Sequence, residues 1–543
     1  MHLWGFITSI RGLLDRWERQ LYIQVQQYLQ QFIQQNLHHQ LRQGRIGLEK
    51  ESLRVSADGI IAPTPHPKAF GAALTHPYIT TDFAEPMLEL ITPPQQGLDE
   101  TLQYLDDLHR FVYQHLDDEY LWASSMPCVL NDNKAIPIAN YGRSNVGRMR
   151  TIYRRGLSHR YGASMQVISG VHFNYSFSDE FWQSYQSIHQ SPLAPQDFIN
   201  QHYFGLIRNL QRNGWLVSYL FGASPAVCKS FLHGKIHPLA HFDPYTDYEP
   251  DGVSMRMGDI GYQNHQEDET GVKANYDNVI AYVDSLTQAL GTSHPLYEKI
   301  GLIKAGKYRQ LNTALLQIEN EYYSTVRPKQ ILQANERPVT ALRQRGVQYV
   351  ELRSLDVNIF EPLGVSEAQL RFLQLLFYFC LFQPSPKINL SERKAIDDNQ
   401  QQVAHHGRNP QLKLQQQGQS VFMRDWGLSI CENMQEIAAT LDQGLQDNPY
   451  QQVLTEQIAV LKDPDKTPAA QMLQQMRDNK ESFFQFSERL SQQHRAFFKS
   501  SALSKTKQQN FQKLAQHSLQ QQQKIEQQPQ LSFAEFLALQ TIK

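Results

Sequence analysis

Five stretches of the chain alternate apolar and polar residues with a period of two, the pattern of a β-strand with one buried face. In RIGLEKESLRV (45–55), Glu49 and Glu51 fall on one face and Ile46 and Leu48 on the other. In EPMLELIT (85–92), Glu85 and Glu89 share a face opposite Leu88 and Leu90. SGVHFNYSF (169–177) sets His172, Asn174 and Ser176 against Val171, Phe173 and Tyr175. LLQIENEYY (315–323) sets Gln317, Glu319 and Glu321 against Leu316 and Ile318, and YVELRSLDV (349–357) sets Glu351 and Arg353 against Val350 and Leu352. Between them run helical patterns, among them LDETLQYLDDLHRFVYQHL (98–116), YFGLIRNLQRNGWLVSYLFG (203–222) and VSEAQLRFLQLLFYFCLF (365–382), the last with Ser366 as its expected N-cap.

Strands and helices interleave without regular βαβ units, which predicts an α+β fold around an antiparallel or mixed sheet. Beyond residue 383 strand signals fade, and the chain becomes rich in Gln, Lys and Glu with apolar residues at helical intervals. The expected division is an N-terminal helical segment (1–44), a catalytic core (45–383) and a helical C-terminal region (384–543) packed on that core. At the N-terminus Leu3, Phe6, Ile7, Ile10, Leu14 and Trp17 follow helical spacing, with Arg11 interrupting any signal-like apolar stretch.

A like-charge pair on one strand face is unfavourable unless something neutralises it. Two readings of the polar faces are open. They are the solvent side of ordinary antiparallel sheets, or they converge on one concave surface where cations sit between the carboxylates. Oxygen ligands with an occasional imidazole suit Mg²⁺ or Mn²⁺, and such ions bind phosphate oxygens. YGRSNVGRMRTIYRRGLSHRYG (141–162) carries Arg143, Arg148, Arg150, Arg154, Arg155 and Arg160. Guanidinium groups recognise carboxylates and phosphates, although a solvated arginine-rich loop has the same appearance. Gly142 and Gly147 have P-loop spacing, but Arg148–Met149 stand where Lys and Ser/Thr are required, so a Walker A site is excluded.

Composition narrows the function classes. At 41% hydrophobic, 19% charged and a formal net charge of −2, the chain lacks the footprint of a nucleic-acid binder. Its longest apolar run, Leu375–Phe382, is far too short to span a bilayer. Cys128, Cys228, Cys380 and Cys431 form no CxxC pair, which argues against a disulfide scaffold or a cysteine zinc site and fits a reducing, cytoplasmic setting.

In chain order GLEKESLRV, ITTDFAEPMLELITP, SMPC, YGRSNVGR, YGASMQVISGVHFNYSF, YLFGASPAVC, MRMGDIGY, LQIENEYYSTVRPK and YVELRSLDVNIFEPLGV resemble the motifs of the proteobacterial glutamate–cysteine ligases, densely over residues 40–385. The resemblance implies a glutamine-synthetase-like antiparallel sheet forming an active-site funnel. It also implies ATP-dependent joining of L-glutamate to L-cysteine through a γ-glutamyl phosphate. By that similarity Glu49, Glu51, Asp82, Glu89, His172 and Glu351 are the expected metal ligands, for Mg²⁺ or Mn²⁺. Glu49, Asn174 and Arg353 would meet ATP. Arg154, Arg256 and Arg353 would handle the transferred phosphoryl group and substrate carboxylates. Tyr153, Ile168, Tyr262 and Tyr323 would line the substrate pocket, with Tyr262 and Tyr323 on the cysteine carboxylate. Cys128 is expected to be structural. The implied partners are small molecules alone, without nucleic acid or membrane, on a monomer open to feedback inhibition by glutathione. Two alternatives stay open from sequence: a sister ligase using another amine, and a catalytically silent scaffold.

Overall fold

The strand Arg45–Val55 (β1) is the centre of a seven-stranded antiparallel sheet in the computed structural model, which describes residues 16–127, 130, 136–232, 237–259, 273–333 and 336–541. The other strands are Ile79–Thr81 (β2), Met87–Ile91 (β3), Tyr120–Leu121 (β4), Gly170–Ser176 (β5), Val326–Lys329 (β6) and Tyr349–Asp356 (β7). Their order is β6-β7-β5-β1-β3-β2, with β4 added at the end of β1. Strand β5 pairs with β1 and β7, both far from it in the sequence, so register rather than chain proximity decides which side chains meet there.

That register sets the polar residues in rows. Glu49 lies opposite His172, Glu51 opposite Glu89, and Glu89 opposite Thr80. On the other side, Arg327 pairs with Glu351, Glu351 with Asn174, and Asn174 with Gly47. Cross-strand partners share a face, so the polar faces of four of the five alternating stretches form one surface. The register between β5 and β7 shifts between Leu352 and Leu355, an irregularity at the end of the row.

The opposite face is apolar. Leu48, Phe173, Leu352 and Val326 are all buried there. Helix Leu98–Tyr113 (α2) covers β1 and β3, while Phe377 of a later helix packs edge-on against Phe173 and Tyr175. That helix, Glu367–Phe382 (α5), starts at Ser366 with a full capping box to Gln369, as its sequence predicts. It is buried all round its last turns because helix Pro195–Asn213 (α4) closes its far side.

The arginine-rich stretch is not a loop. Asn145–Tyr161 is a helix (α3) whose N-cap Ser144 accepts from the Gly147 amide. Arg150, Tyr153, Arg154 and Leu157, at i, i+3, i+4 and i+7, share one helical side. LLQIENEYY is not a strand either. It is an irregular segment with a 3₁₀ turn at Glu319–Glu321, and the strand follows it as β6.

The C-terminal region wraps the back of the sheet. Helix Phe483–Lys499 (α6) packs on α2 and β4, and Lys505–Gln527 (α7) also contacts α2. Phe533–Thr541 (α8) lies on α3, with Phe533 under the Arg148 guanidinium. A hairpin, Lys413–Gln416 with Gln419–Phe422, departs from the expected absence of strands here. Its turn residues Gln417 and Gly418 both have positive φ, the conformation a tight two-residue hairpin needs. Near the N-terminus, helix Arg16–Gln34 (α1) joins the same core through Val25, Leu29 and Phe32. Leu3 to Leu14 lie outside the described residues. None of the described helices is long and apolar enough to cross a membrane.

Candidate active site

The polar face of the sheet forms the floor of a cavity of about 330 Å³. Its walls come from α3 (Met149, Arg150, Tyr153, Arg154, Leu157), from Met165, Gln166 and Ile168, from Arg256, from Leu311, and from the irregular segment through Ile318, Asn320 and Tyr323. Glu49, Glu51, Asp82, Glu89, His172, Glu351 and Arg353 all line it, as do Arg327 and Lys329.

At the centre, Glu49, His172 and Glu351 each offer a ligand atom within 4.8 Å of the others. His172 Nδ1 is 3.0 Å from Glu49 Oε2 and 3.3 Å from Arg353 Nη1. One ring nitrogen can donate to the carboxylate or accept from the guanidinium, but not both. Glu351 lies between two cations, with Arg353 Nη1 3.1 Å from one oxygen and Lys329 Nζ 3.3 Å from the other. Asn174 reaches the cavity only through Glu49, to which its amide donates at 3.1 Å.

Electrostatics divide the carboxylates. Burial raises Glu49, Glu51, Glu89 and Glu351, but for Glu351 the Lys329, Arg353 and His172 charges outweigh burial and hold it well below the ordinary range. Glu49 is also held down: burial raises it, but the His172 hydrogen bond together with the His172 and Lys329 charges outweighs burial. Burial pushes Glu51 up, partly offset by His172. Glu89 rises well above the ordinary range through burial and the charges of Glu49, Asp82 and Glu51. A floor with this many carboxylates favours cation uptake, and a bound cation would favour the ionised forms of Glu89 and Glu51.

The arginines are fixed from behind. Arg154 donates to the Asp82 carbonyl, stands 3.7 Å from its carboxylate, and stacks over Tyr141. Arg256 donates to the Arg353 carbonyl at 2.7 Å and faces buried Asp356 at 3.8 Å. It lies directly on Gly170, where a Cβ would stand 2.1 Å from its Nη2. The Gly170 amide in turn donates to Glu51 at 2.7 Å. Tyr323 places its hydroxyl 3.6 Å from Met257 Sδ. Tyr262 and Cys128 lie outside the described residues.

Four acidic residues of the alternating stretches do not reach the cavity, Asp356 among them. Glu85 accepts from the His66 and Asn140 amides. Glu319 pairs with Arg337 at 3.0 Å, and Glu321 with Arg160 at 2.8 Å, both of the latter side chains fully buried. Sequence reasoning missed Arg150, Arg327 and Lys329. The signal was present in VRPK, which alternates like the other strands, and in the helical spacing of Arg150 with Arg154.

Comparison with known proteins points one way. The sequence model described as glutamate–cysteine ligase matches residues 29–403. The glutamate–cysteine ligase of Alcanivorax borkumensis is 44% identical over 499 residues, 91% of this chain and 95% of its own length. That of Pseudomonas aeruginosa is 44% identical over 492 residues, covering 91% and 93%. Among solved structures, glutamate–cysteine ligase from Francisella tularensis in complex with AMP superposes with a TM-score of 0.86 at 34% identity, covering 92% of this chain and 97% of that one. A bifunctional glutathione synthetase from Pasteurella multocida gives a TM-score of 0.68 at 28% identity, and the match spans 86% of this chain but 55% of that one.

Proposed function

The chain belongs to the glutamate–cysteine ligase family, and from that premise we propose that the polar sheet face is where it joins the γ-carboxylate of L-glutamate to the amine of L-cysteine at the expense of ATP. The family's reaction is the first step of glutathione synthesis. The observation that carries the assignment of the site is the convergence of Glu49, His172 and Glu351 beside Arg353 on one floor.

A carboxylate is a poor electrophile, because oxide is a poor leaving group. Transfer of the γ-phosphoryl group of ATP to the glutamate γ-carboxylate gives an acyl phosphate and ADP. The cysteine nitrogen then attacks the acyl carbon, phosphate leaves, and the nitrogen gives up a proton. Phosphoryl transfer depends on positioning and charge neutralisation more than on a protein nucleophile. The chain meets that need with fixed cations. Arg353 sits beside Glu351, and Arg256 is held by the Arg353 carbonyl and Asp356. Arg154, fixed on Asp82, faces the cavity from α3. Tyr153, Ile168 and Tyr323 shape the wall against which an amino-acid substrate is held.

The donor set fits a divalent cation. Glu49, His172 and Glu351 supply two carboxylates and an imidazole within 4.8 Å, and Glu351 Oε2 is buried without a hydrogen bond. Glu51, Asp82 and Glu89 add three carboxylates to the same floor. Mg²⁺ or Mn²⁺ held there would neutralise phosphate charge. The AMP complex of the Francisella relative supports a nucleotide as a ligand of this chain. Asn174 keeps Glu49 oriented for it.

The same reading makes the enzyme a cytoplasmic monomer. Cys228, Cys380 and Cys431 are free and buried, in keeping with a reducing compartment. Glutathione carries the γ-glutamyl group of the product and is expected to compete with glutamate. Light scattering and inhibition kinetics test these two points.

The central test is ADP release with ATP, Mg²⁺ and glutamate, with and without cysteine, and γ-glutamylcysteine identified by mass. Glu49→Gln and Glu351→Gln should retain the wild-type circular-dichroism spectrum and lose turnover. Normal turnover by both variants refutes the metal assignment.

A further inference from the structure

We propose that Lys329 is a phosphate-binding residue that exchanges partners. It neutralises Glu351 in the substrate-free site and passes to the phosphate oxygens of the nucleotide when Glu351 is given over to a divalent cation. The inference rests on the metal reading above and adds to it a residue outside the ligand and arginine sets already assigned.

The geometry of Glu351 is the starting point. Its carboxylate is buried, and each oxygen faces one protein cation, Arg353 at 3.1 Å and Lys329 at 3.3 Å. A carboxylate paired with two cations in this way, its Oε2 in an ion pair with Lys329 but without a hydrogen bond, is a poor ligand until one of those cations moves. Arg353 is constrained, because its guanidinium also meets His172 Nδ1 at 3.3 Å and its backbone carbonyl holds Arg256. Arg327, on the same face of β6, is likewise committed to the Asn320 carbonyl at 3.1 Å and to the Tyr322 carbonyl.

Lys329 is differently placed. It ends β6, the edge strand of the sheet, and its side chain is 27% exposed to the cavity. Among the described residues, Glu351 is the ion-pair partner of its ammonium. A lysine is a compact charge on a flexible stem, which can turn from one anion to another without the planar geometry a guanidinium demands.

The charge balance of the cavity requires such a movable group. Five carboxylates and six lysine or arginine side chains line it. A divalent cation entering alone meets a site where lysine and arginine side chains already outnumber the carboxylates by one. Entering with a polyphosphate, it brings the anion that accepts the displaced ammonium. Metal and nucleotide would therefore bind as a pair, and Lys329 would couple them.

The test uses the full chain and two probes. Mn²⁺ alone is titrated by electron paramagnetic resonance, and the KM for ATP is measured at saturating Mg²⁺ and glutamate. Lys329→Met removes the competing cation, so it should bind Mn²⁺ about ten-fold more tightly while its KM for ATP rises about ten-fold, the scale of one unit charge in a partly buried site. Lys329→Arg keeps a cation and should bring the KM for ATP back toward wild type. Glu351→Gln is the control for the underlying reading. If it binds Mn²⁺ like wild type, the metal assignment fails. If it loses Mn²⁺ binding while Lys329→Met changes neither constant, the exchange fails and the metal site stands. Weaker ATP binding without tighter Mn²⁺ binding also overturns the exchange.

Discussion

Replacing Lys50 by Met should stabilise this protein, and the gain should depend on pH. Lys50 sits on β1 between Glu49 and Glu51, so its side chain points to the apolar face, opposite Leu90 and Val171. It is 3% exposed. Its Nζ is 3.1 Å from His109 Nε2, while His109 Nδ1 faces the Leu105 carbonyl at 2.8 Å. The ring proton therefore sits on Nδ1, and Nε2 accepts from the lysine. Burial brings Lys50 down from 10.5 to about 7. An unfolded chain holds this proton up to about pH 10.5, and the folded chain releases it near pH 7. Between those values unfolding takes up a proton, so Lys50 makes stability rise with pH across that window. Below it the cost of the buried amine is full, about 5 kcal/mol by the conversion of 1.36 kcal/mol per pH unit; at pH 8 it has fallen to roughly 3 kcal/mol. Methionine fills a similar length without the charge and forfeits one hydrogen bond of about 1 kcal/mol. The net gain at pH 6 is then about 4 kcal/mol, which for a chain of this size is a rise in melting temperature of roughly 3 °C. Melting curves of both proteins from pH 6 to pH 9.5 decide the matter. The difference should be largest at pH 6 and shrink steadily as pH rises. A variant no more stable than wild type, or a difference flat in pH, would refute the reasoning.

Two further outcomes are expected. Glu321→Gln breaks the fully buried pair with Arg160 and should cost about 3–5 kcal/mol of stability. Arg160 also holds Gln310 and the Asn312 and Leu315 carbonyls, so the variant should raise the KM for amino-acid substrate as the wall loosens; melting and steady-state kinetics on one preparation test both, and an unchanged melting point contradicts the claim. Tyr262→Phe should raise the KM for cysteine more than that for ATP, and an equal effect on both would remove Tyr262 from the cysteine pocket.

The alternation of β1, β3, β5 and β7 was legible because each of these strands has one face on the core and one on the cavity. Parity alone put Glu49 and Glu51, Glu89, His172, and Glu351 and Arg353 each on the polar side of its own strand, and left open whether those sides converge. Register was not legible. That Glu49 meets His172 and Glu351 meets Asn174 is decided by pairing between strands more than a hundred residues apart, and no local pattern encodes it. The helical side of α3 was not read from the sequence, although Arg150, Tyr153, Arg154 and Leu157 have the spacing of one face.

The misreading of residues 315–323 has a specific cause. LLQIENEYY alternates as a strand does, but its polar residues are satisfied one by one by distant or local partners. Glu321 takes the Arg160 guanidinium and the Gln317 amide, and Glu319 takes Arg337. With each side chain tied down, the backbone turns at Glu319–Glu321 instead of extending. The true strand, Val326–Lys329, was hidden by Pro328, a residue that argues against a central strand because it cannot donate to the ladder. On an edge that objection disappears, and β6 is the edge beyond β7. Parity from Arg327 to Lys329 then puts two cations on the cavity face, beside the carboxylates they neutralise. The charge that balances the site was thus written in the one strand whose proline disguised it, and this is why Lys329 emerged only from the geometry of Glu351.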